Sequence, residues 1–134
     1  MSLNVLGIGT DLVEVGRIES MLERHGDTFR NRVYSDQEIR YCSARAAAAQ
    51  HYAGRWAAKE AVLKVLGTGW TGGLKWSEIE VQNADSGQPL MQLSGKAAEI
   101  AAAMGIQHIM ISISHTDQYA VAYAVGLGAE RGTI

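Results

Sequence analysis

Three separated groups of residues in this sequence can do chemistry. Glu60 and Lys64 lie within Arg55-Trp56-Ala57-Ala58-Lys59-Glu60-Ala61-Val62-Leu63-Lys64, a run of helix-favouring residues that no Pro or Gly interrupts before Gly67. Four positions apart, the carboxylate and the ammonium stand one turn from each other on a strip that also carries Ala53 and Ala57. Small neighbours suit the wall of a cleft, and a solvated ion pair worth about 0.3–0.5 kcal/mol explains the pattern equally well. Asp11 closes Gly7-Ile8-Gly9-Thr10-Asp11 and shares strand parity with Val5, Val13 and Val15. A carboxylate there either satisfies loop amides or ligates a metal or substrate. His115 ends Ser112-Ile113-Ser114-His115, where the serines point away from the histidine face, so no Ser–His dyad is built within the segment.

Other groups offer binding rather than bond-making. Arg17, Met21 and Arg24 recur at i, i+4 and i+7, a cation–thioether–cation stripe suited to an acidic helix on a partner; alone, it reads more simply as a solvated face. Arg45, His51 and Arg55 lead into the long helix and can hold a phosphate or face solvent. Gly67-Thr68-Gly69-Trp70-Thr71-Gly72-Gly73 lacks the Gly-Lys-Ser/Thr ending of a P-loop, and the dipole at a helix C-terminus has the wrong sign for an anion. Lys59 falls among Val62, Leu63 and Leu66, and the pattern predicts that its stem covers them while its ammonium reaches water.

The elements that must position these residues follow from periodicity. Leu3 to Val15 reads as a strand covered on both faces, with Gly7 and Gly9 admitting another backbone close by. A helix follows to Gly26, Phe29 and Val33 anchor a short turn or helix, and Ser35-Asp36-Gln37-Glu38 has the form of a capping box. The next helix breaks near Ser43 and leads into the long helix. Trp76 to Gln82 and Pro89 to Leu93 form one hairpin, Ser94 caps a helix that ends at Gly105, and His108 to His115 with Tyr119 to Val125 form a second hairpin. The expected fold is α+β, an antiparallel sheet built from the first strand and both hairpins and packed against the long helix.

At 134 residues the chain is expected to be one domain, 1–134, with no interdomain linker. Hydrophobic residues at 47% and charged residues at 19% give a globular balance, and a net charge of −2 gives no reason to expect a nucleic-acid partner. No apolar run is long enough to span a membrane. The lone Cys42 has no partner for an intrachain disulfide and no zinc spacing, which points to a reducing cytoplasm.

Taken together and in order, Gly7-Ile8-Gly9-Thr10-Asp11 with its following helix, Trp56 through Lys64, and Ser112 through His115 resemble the signatures of the 4′-phosphopantetheinyl transferases. The short chain resembles the small holo-acyl-carrier-protein synthase branch, from about Leu3 to Val125. That resemblance implies transfer of 4′-phosphopantetheine from coenzyme A to a serine of apo acyl carrier protein, releasing adenosine 3′,5′-bisphosphate, with a role in fatty acid biosynthesis. It implies Mg²⁺ held by Asp11 and Glu60, Lys64 near the diphosphate, and Arg55, Gly67, Gly69 and His115 bordering the coenzyme. Arg45 and His51 are weaker expectations for its 3′-phosphate. The Arg17-Met21-Arg24 stripe becomes the docking surface for the acidic carrier protein, and the branch implies a homotrimer with coenzyme A at subunit boundaries. A non-catalytic coenzyme A-binding module, or a structural domain of a larger synthase, is the competing expectation.

Overall fold

The computed structural model describes residues 3–70 and 72–129. In chain order these form β1 (Asn4–Glu14), α1 (Val15–Val33), α2 (Asp36–Ser43), α3 (Ala48–Leu66), a 3₁₀ turn (Trp76–Glu78), β2 (Ile79–Asn83), β3 (Pro89–Leu93), α4 (Gly95–Met104), β4 (Ile106–His115) and β5 (Tyr119–Gly128). The architecture is α+β with antiparallel sheets, but there are two of them. One is three-stranded in the order β1-β5-β4, and the other is the hairpin β2-β3 alone. The expected start of β2 is taken by the 3₁₀ turn, in which Lys75 N donates to Glu78 Oε1 at 3.2 Å.

The long helix is the centre of the molecule. Ala53, Ala57, Ala58 and Ala61 are buried with Val62, Val65 and Leu66, so α3 is enclosed on most sides. It packs against β1, β5 and β4. The approach to β1 is close enough that a Cβ at Gly7 would sit 2.9 Å from the Val65 carbonyl oxygen, and one at Gly9 would run into the Ala61 carbonyl. The two glycines therefore set how near β1 lies to α3, and with it the height of Asp11 above the helix.

Among the described residues, only one face of the three-stranded sheet is covered. A register shift between Val5 and Gly7 separates the first residues of β1 from the rest. Beyond it Val13 turns inward, whereas Leu12 and Ile8 face out, Ile8 with 71% of its surface exposed. Among the described residues, the expected coverage of both faces of β1 is absent. The α1 helix is likewise two pieces: Gly26 adopts φ 49°, ψ −127°, which breaks the helix between the stripe of Arg17, Met21 and Arg24 and the buried Phe29 and Val33. The Ser35 capping box forms as expected, with Glu38 N donating to Ser35 Oγ and Ser35 N donating to Glu38 Oε1.

Lys59 differs from expectation. Its ammonium does not reach water: Nζ lies 2.9 Å from Glu38 Oε1 with both side chains fully buried, and it also donates to the carbonyls of Trp76 and Ile79. Burial pulls the Lys59 pKa down while the Glu38 charge opposes that shift. The helix wheel placed Lys59 on the apolar side correctly, but that side is roofed by β2 and the 3₁₀ turn, which leaves the stem no route to solvent.

Candidate active site

Asp11 comes from the last turnward residues of β1 and Lys64 from the last turn of α3. Lys64 Nζ lies 3.6 Å from Asp11 Oδ1 and donates to the Thr10 carbonyl at 2.6 Å. The ion pair of Lys64 is thus made across to β1 rather than along α3 to Glu60. Burial raises the Asp11 pKa above its usual value, with Lys64 and then Arg17 pulling the other way. Glu60 is also raised, first by burial; the Trp70 hydrogen bond lowers it and the Asp11 charge raises it. Two half-buried carboxylates that feel each other's charge, beside one ammonium, form a concentrated negative spot open to solvent.

The Glu60 carboxylate has an aromatic neighbour that sequence reasoning did not single out. Trp70 Nε1 donates to Glu60 Oε1 at 3.4 Å. Trp70 stacks on Trp76 with ring centroids 3.8 Å apart, and Trp76 stacks on Trp56 at 4.5 Å. On its far side Trp56 meets Phe29, and the Arg17 guanidinium lies 5.6 Å from the Trp56 ring centre. The presence of three Trp in one short chain was the available signal, although their sequence separation gave no hint of a stack.

A second cluster forms at the other end of α3. His115 is exposed at the end of β4, and its ring meets His51 edge-on at 5.3 Å. His51 in turn meets Tyr41 at 5.8 Å, while the guanidinium carbons of Arg45 and Arg55 lie 3.5 Å and 4.0 Å from the Tyr41 ring centre. Gln50 ties this end of the helix to the β4–β5 turn by donating to Asp117 Oδ1 at 3.1 Å. Arg55 is buried, with Nη2 on Asn83 Oδ1, and its Nε is a buried donor lacking a hydrogen-bond partner among the described residues. The His51 pKa is pulled down by burial first and then by the charges of His115, Arg45 and Arg55. A group of cations that disfavours protonation of its own histidine suits an anion.

The two clusters share one rigid support. His51 and Glu60 are nine residues apart on α3, about 13 Å along the axis. Gly67 ends the helix in the left-handed conformation, with its N–H on the Leu63 carbonyl, and Gly69 has φ 63°. The loop they begin carries Trp70 back over the helix. Arg17 lies near enough to bias both carboxylates, Arg24 is exposed, and Met21 is half-buried against the core. Beside Lys64, a hollow of about 480 Å³ on the open sheet face is lined by Ile8, Gly9, Thr10, Tyr123, Ala124 and Val125. Larger hollows of about 830 and 730 Å³ are lined by neither carboxylate. Among the described residues no group of three or more His, Cys, Asp or Glu gathers as a metal cage, and no helix is long and apolar enough to cross a membrane.

The family model described as the 4′-phosphopantetheinyl transferase superfamily matches residues 7–124. The chain is 46% identical over 121 residues to the holo-[acyl-carrier-protein] synthase of Koribacter versatilis, covering 90% of this chain and 97% of that protein. It is 48% identical over 122 residues to the corresponding protein of Gloeobacter violaceus, covering 90% and 92%. Among solved structures it is similar to the Plasmodium yoelii acyl carrier protein synthase with ADP bound, at 33% identity and a TM-score of 0.86, covering 97% of this chain and all of that one. The Helicobacter pylori holo-[acyl-carrier-protein] synthase in complex with coenzyme A is also 33% identical, with a TM-score of 0.78, covering 89% and 98%.

Proposed function

Because this chain belongs to the 4′-phosphopantetheinyl transferase superfamily, as an enzyme of the holo-[acyl-carrier-protein] synthase type, we propose that it transfers 4′-phosphopantetheine from coenzyme A to a serine of apo acyl carrier protein. The serine oxygen forms the new P–O bond, the bond to adenosine 3′,5′-bisphosphate breaks, and the serine proton must leave. The observation that carries this reading is the approach of Asp11 on β1 to Glu60 and Lys64 on α3.

Asp11 and Glu60 fit a Mg²⁺ ion, because Mg²⁺ prefers hard oxygen donors and commonly takes one or two carboxylates together with substrate phosphate oxygens. Bound there, the ion would neutralise diphosphate charge as the P–O bond breaks. Lys64 adds a positive charge beside Asp11 and can stabilise charge on the leaving phosphate. Among the chain's own groups, Glu60 is the candidate to accept the serine proton.

The coenzyme is read as lying along α3. The cluster of Arg45, His51, Arg55 and His115 would take its 3′-phosphate end, and the loop with Gly67 and Gly69 would border it near Lys64. Arg55 would act from beneath, holding Tyr41 and the cluster in place, because it is buried and already bonded to Asn83. The exposed Arg24 and the Arg17–Met21 segment would receive the acidic carrier protein. We read residues 1–134 as one catalytic domain acting in cytoplasmic fatty acid biosynthesis, a setting that suits the free, buried Cys42.

A homotrimer is supported by the bare outer face of the three-stranded sheet, where Val5, Ile8, Leu12, Met110, Tyr119 and Tyr123 are all exposed. Contiguous apolar surface of this kind marks an association site. It adjoins the hollow beside Lys64, so a neighbouring subunit would supply the missing wall of the coenzyme site. Light scattering at micromolar concentration is expected to give a trimer; a monomer would remove this part of the proposal.

The direct test incubates the protein with apo carrier protein, coenzyme A and Mg²⁺ and reads the phosphopantetheine mass increase by mass spectrometry. Glu60→Gln is expected to fold normally and lose nearly all transfer. Absence of modification across several carriers would overturn the transferase reading in favour of a non-catalytic coenzyme A-binding domain.

A further inference from the structure

We propose that Trp70 is a positioning residue for the carboxylate pair: its indole N–H fixes the direction of the Glu60 carboxylate toward Asp11. The inference rests on the reading of Asp11 and Glu60 as a Mg²⁺ site. It comes from the path that the aromatic rings take. Trp56 stands one turn before Glu60 on α3, Trp76 stacks on Trp56, Trp70 stacks on Trp76, and the Trp70 N–H returns to Glu60 Oε1. The circuit starts and ends on the same helix, so the two ring stacks fix where the indole N–H stands relative to the Glu60 backbone.

Glu60 needs such a constraint. Its side chain is long and only half-buried, its charge is repelled by Asp11, and Lys64 is engaged with Asp11 and Thr10. A free carboxylate under that repulsion would turn outward to water, away from the shared position. The Trp70 bond opposes that turn by holding one oxygen, Oε1. At 3.4 Å it is long for an N–H···O bond, so its contribution is direction more than strength. Partners that orient metal-ligating carboxylates in this way commonly change metal affinity by about tenfold or more when they are removed. The backbone permits the arrangement because Gly67 and Gly69, both at positive φ, reverse the chain at the end of α3 and return the indole to the helix.

The experiment measures Mn²⁺ bound to the full chain in saturating coenzyme A, from the loss of the free-ion electron paramagnetic resonance signal. It compares the unaltered protein, Glu60→Gln, Trp70→Phe and Trp76→Phe, with thermal midpoints recorded for each. Trp70→Phe keeps an aromatic face for Trp76 but lacks the N–H, and it is expected to weaken Mn²⁺ about tenfold with little change in coenzyme affinity. Trp76→Phe keeps the donor and an aromatic face beneath it, and is expected to weaken Mn²⁺ less than Trp70→Phe does. Equal binding by the unaltered protein and Glu60→Gln would overturn the metal reading and this proposal with it. Loss in Glu60→Gln with normal binding in Trp70→Phe would overturn the role of Trp70 alone, as would equal weakening in Trp70→Phe and Trp76→Phe. In the unaltered protein, Mn²⁺ is expected to broaden one of the three indole N–H resonances before the others; simultaneous broadening of all three would count against the proposal even if a variant failed to fold.

Discussion

Replacing Lys59 with Met tests the buried ion pair beneath the candidate site. In the native chain Lys59 Nζ is 2.9 Å from Glu38 Oε1 and bonds two carbonyls, while Glu38 also accepts from Ser35 N and Val81 N at 2.9 Å each. Methionine fills much the same volume but strands the Glu38 charge away from water and leaves the Trp76 and Ile79 carbonyls without their ammonium donor. Breaking a fully buried pair on one side costs about 3–5 kcal/mol, against roughly 0–1 kcal/mol for an exposed pair. With a urea m-value of about 2 kcal/mol per molar, the midpoint should fall by roughly 2 M. The measurement is a urea titration at two protein concentrations, so that subunit association is separated from unfolding. The double variant Glu38→Leu with Lys59→Met is expected to recover part of the loss, because it removes the stranded charge but orphans the Ser35 and Val81 amides. A single-variant loss under about 1 kcal/mol would mean that the Lys59 ammonium reaches solvent, and it would refute the burial argument.

The remaining expectations concern the site. Gly9→Ala should lower the melting temperature and cut transfer by more than the stability loss explains, since the added methyl pushes β1 and Asp11 away from α3; normal kinetics would show that the Asp11 height is not set there. Arg24→Glu should raise the carrier-protein KM about fivefold in a salt-dependent way and spare coenzyme A binding. Arg17→Glu should in addition tighten Mg²⁺, because it replaces a positive charge near both carboxylates with a negative one; identical behaviour of the two variants would contradict that distinction. The folded-state pKa of His51 lies below its unfolded value, so His51 contributes stability that is present above about pH 6.5 and is lost as pH falls through the folded pKa. A bound phosphate reverses that penalty: adenosine 3′,5′-bisphosphate should raise the His51 titration midpoint in an NMR experiment and bind more tightly as pH falls from about 7.5 to about 6. An unmoved midpoint would place the anion elsewhere.

Features fixed by a few neighbouring residues are legible in the sequence. Gly7 and Gly9 announced a close backbone, Ser35 and Glu38 a capping box, and Gly67 a helix end, and each appears as expected. What escaped reading depends on contacts between distant segments. Glu38 looked complete as a capping residue, and nothing local says that its second oxygen receives Val81 N or that Lys59, 21 positions on, closes the pair. Trp70 looked like part of a flexible glycine loop because the stack that captures it uses Trp56 and Trp76 from other elements. The hairpin β2-β3 carries the same alternation as a strand in the main sheet, so periodicity alone could not separate the two sheets.

On the proposed docking role, the break at Gly26 makes the front of α1 a replaceable address. Phe29 and Val33 beyond the break are locked in the core, whereas ahead of it Val15 and Ile18 supply the buried anchor and Arg24 is exposed. Keeping Val15, Ile18 and Leu22 while exchanging the outward residues from 17 to 25 would re-address the enzyme to carrier proteins with different surface charge, leaving the aromatic packing behind Gly26 in place. Arg17 limits such an exchange, because it rests over Trp56 and biases the carboxylates. Position 24 is therefore the freer letter of that address, since Met21 packs against the core, and position 17 is shared with the proposed chemistry.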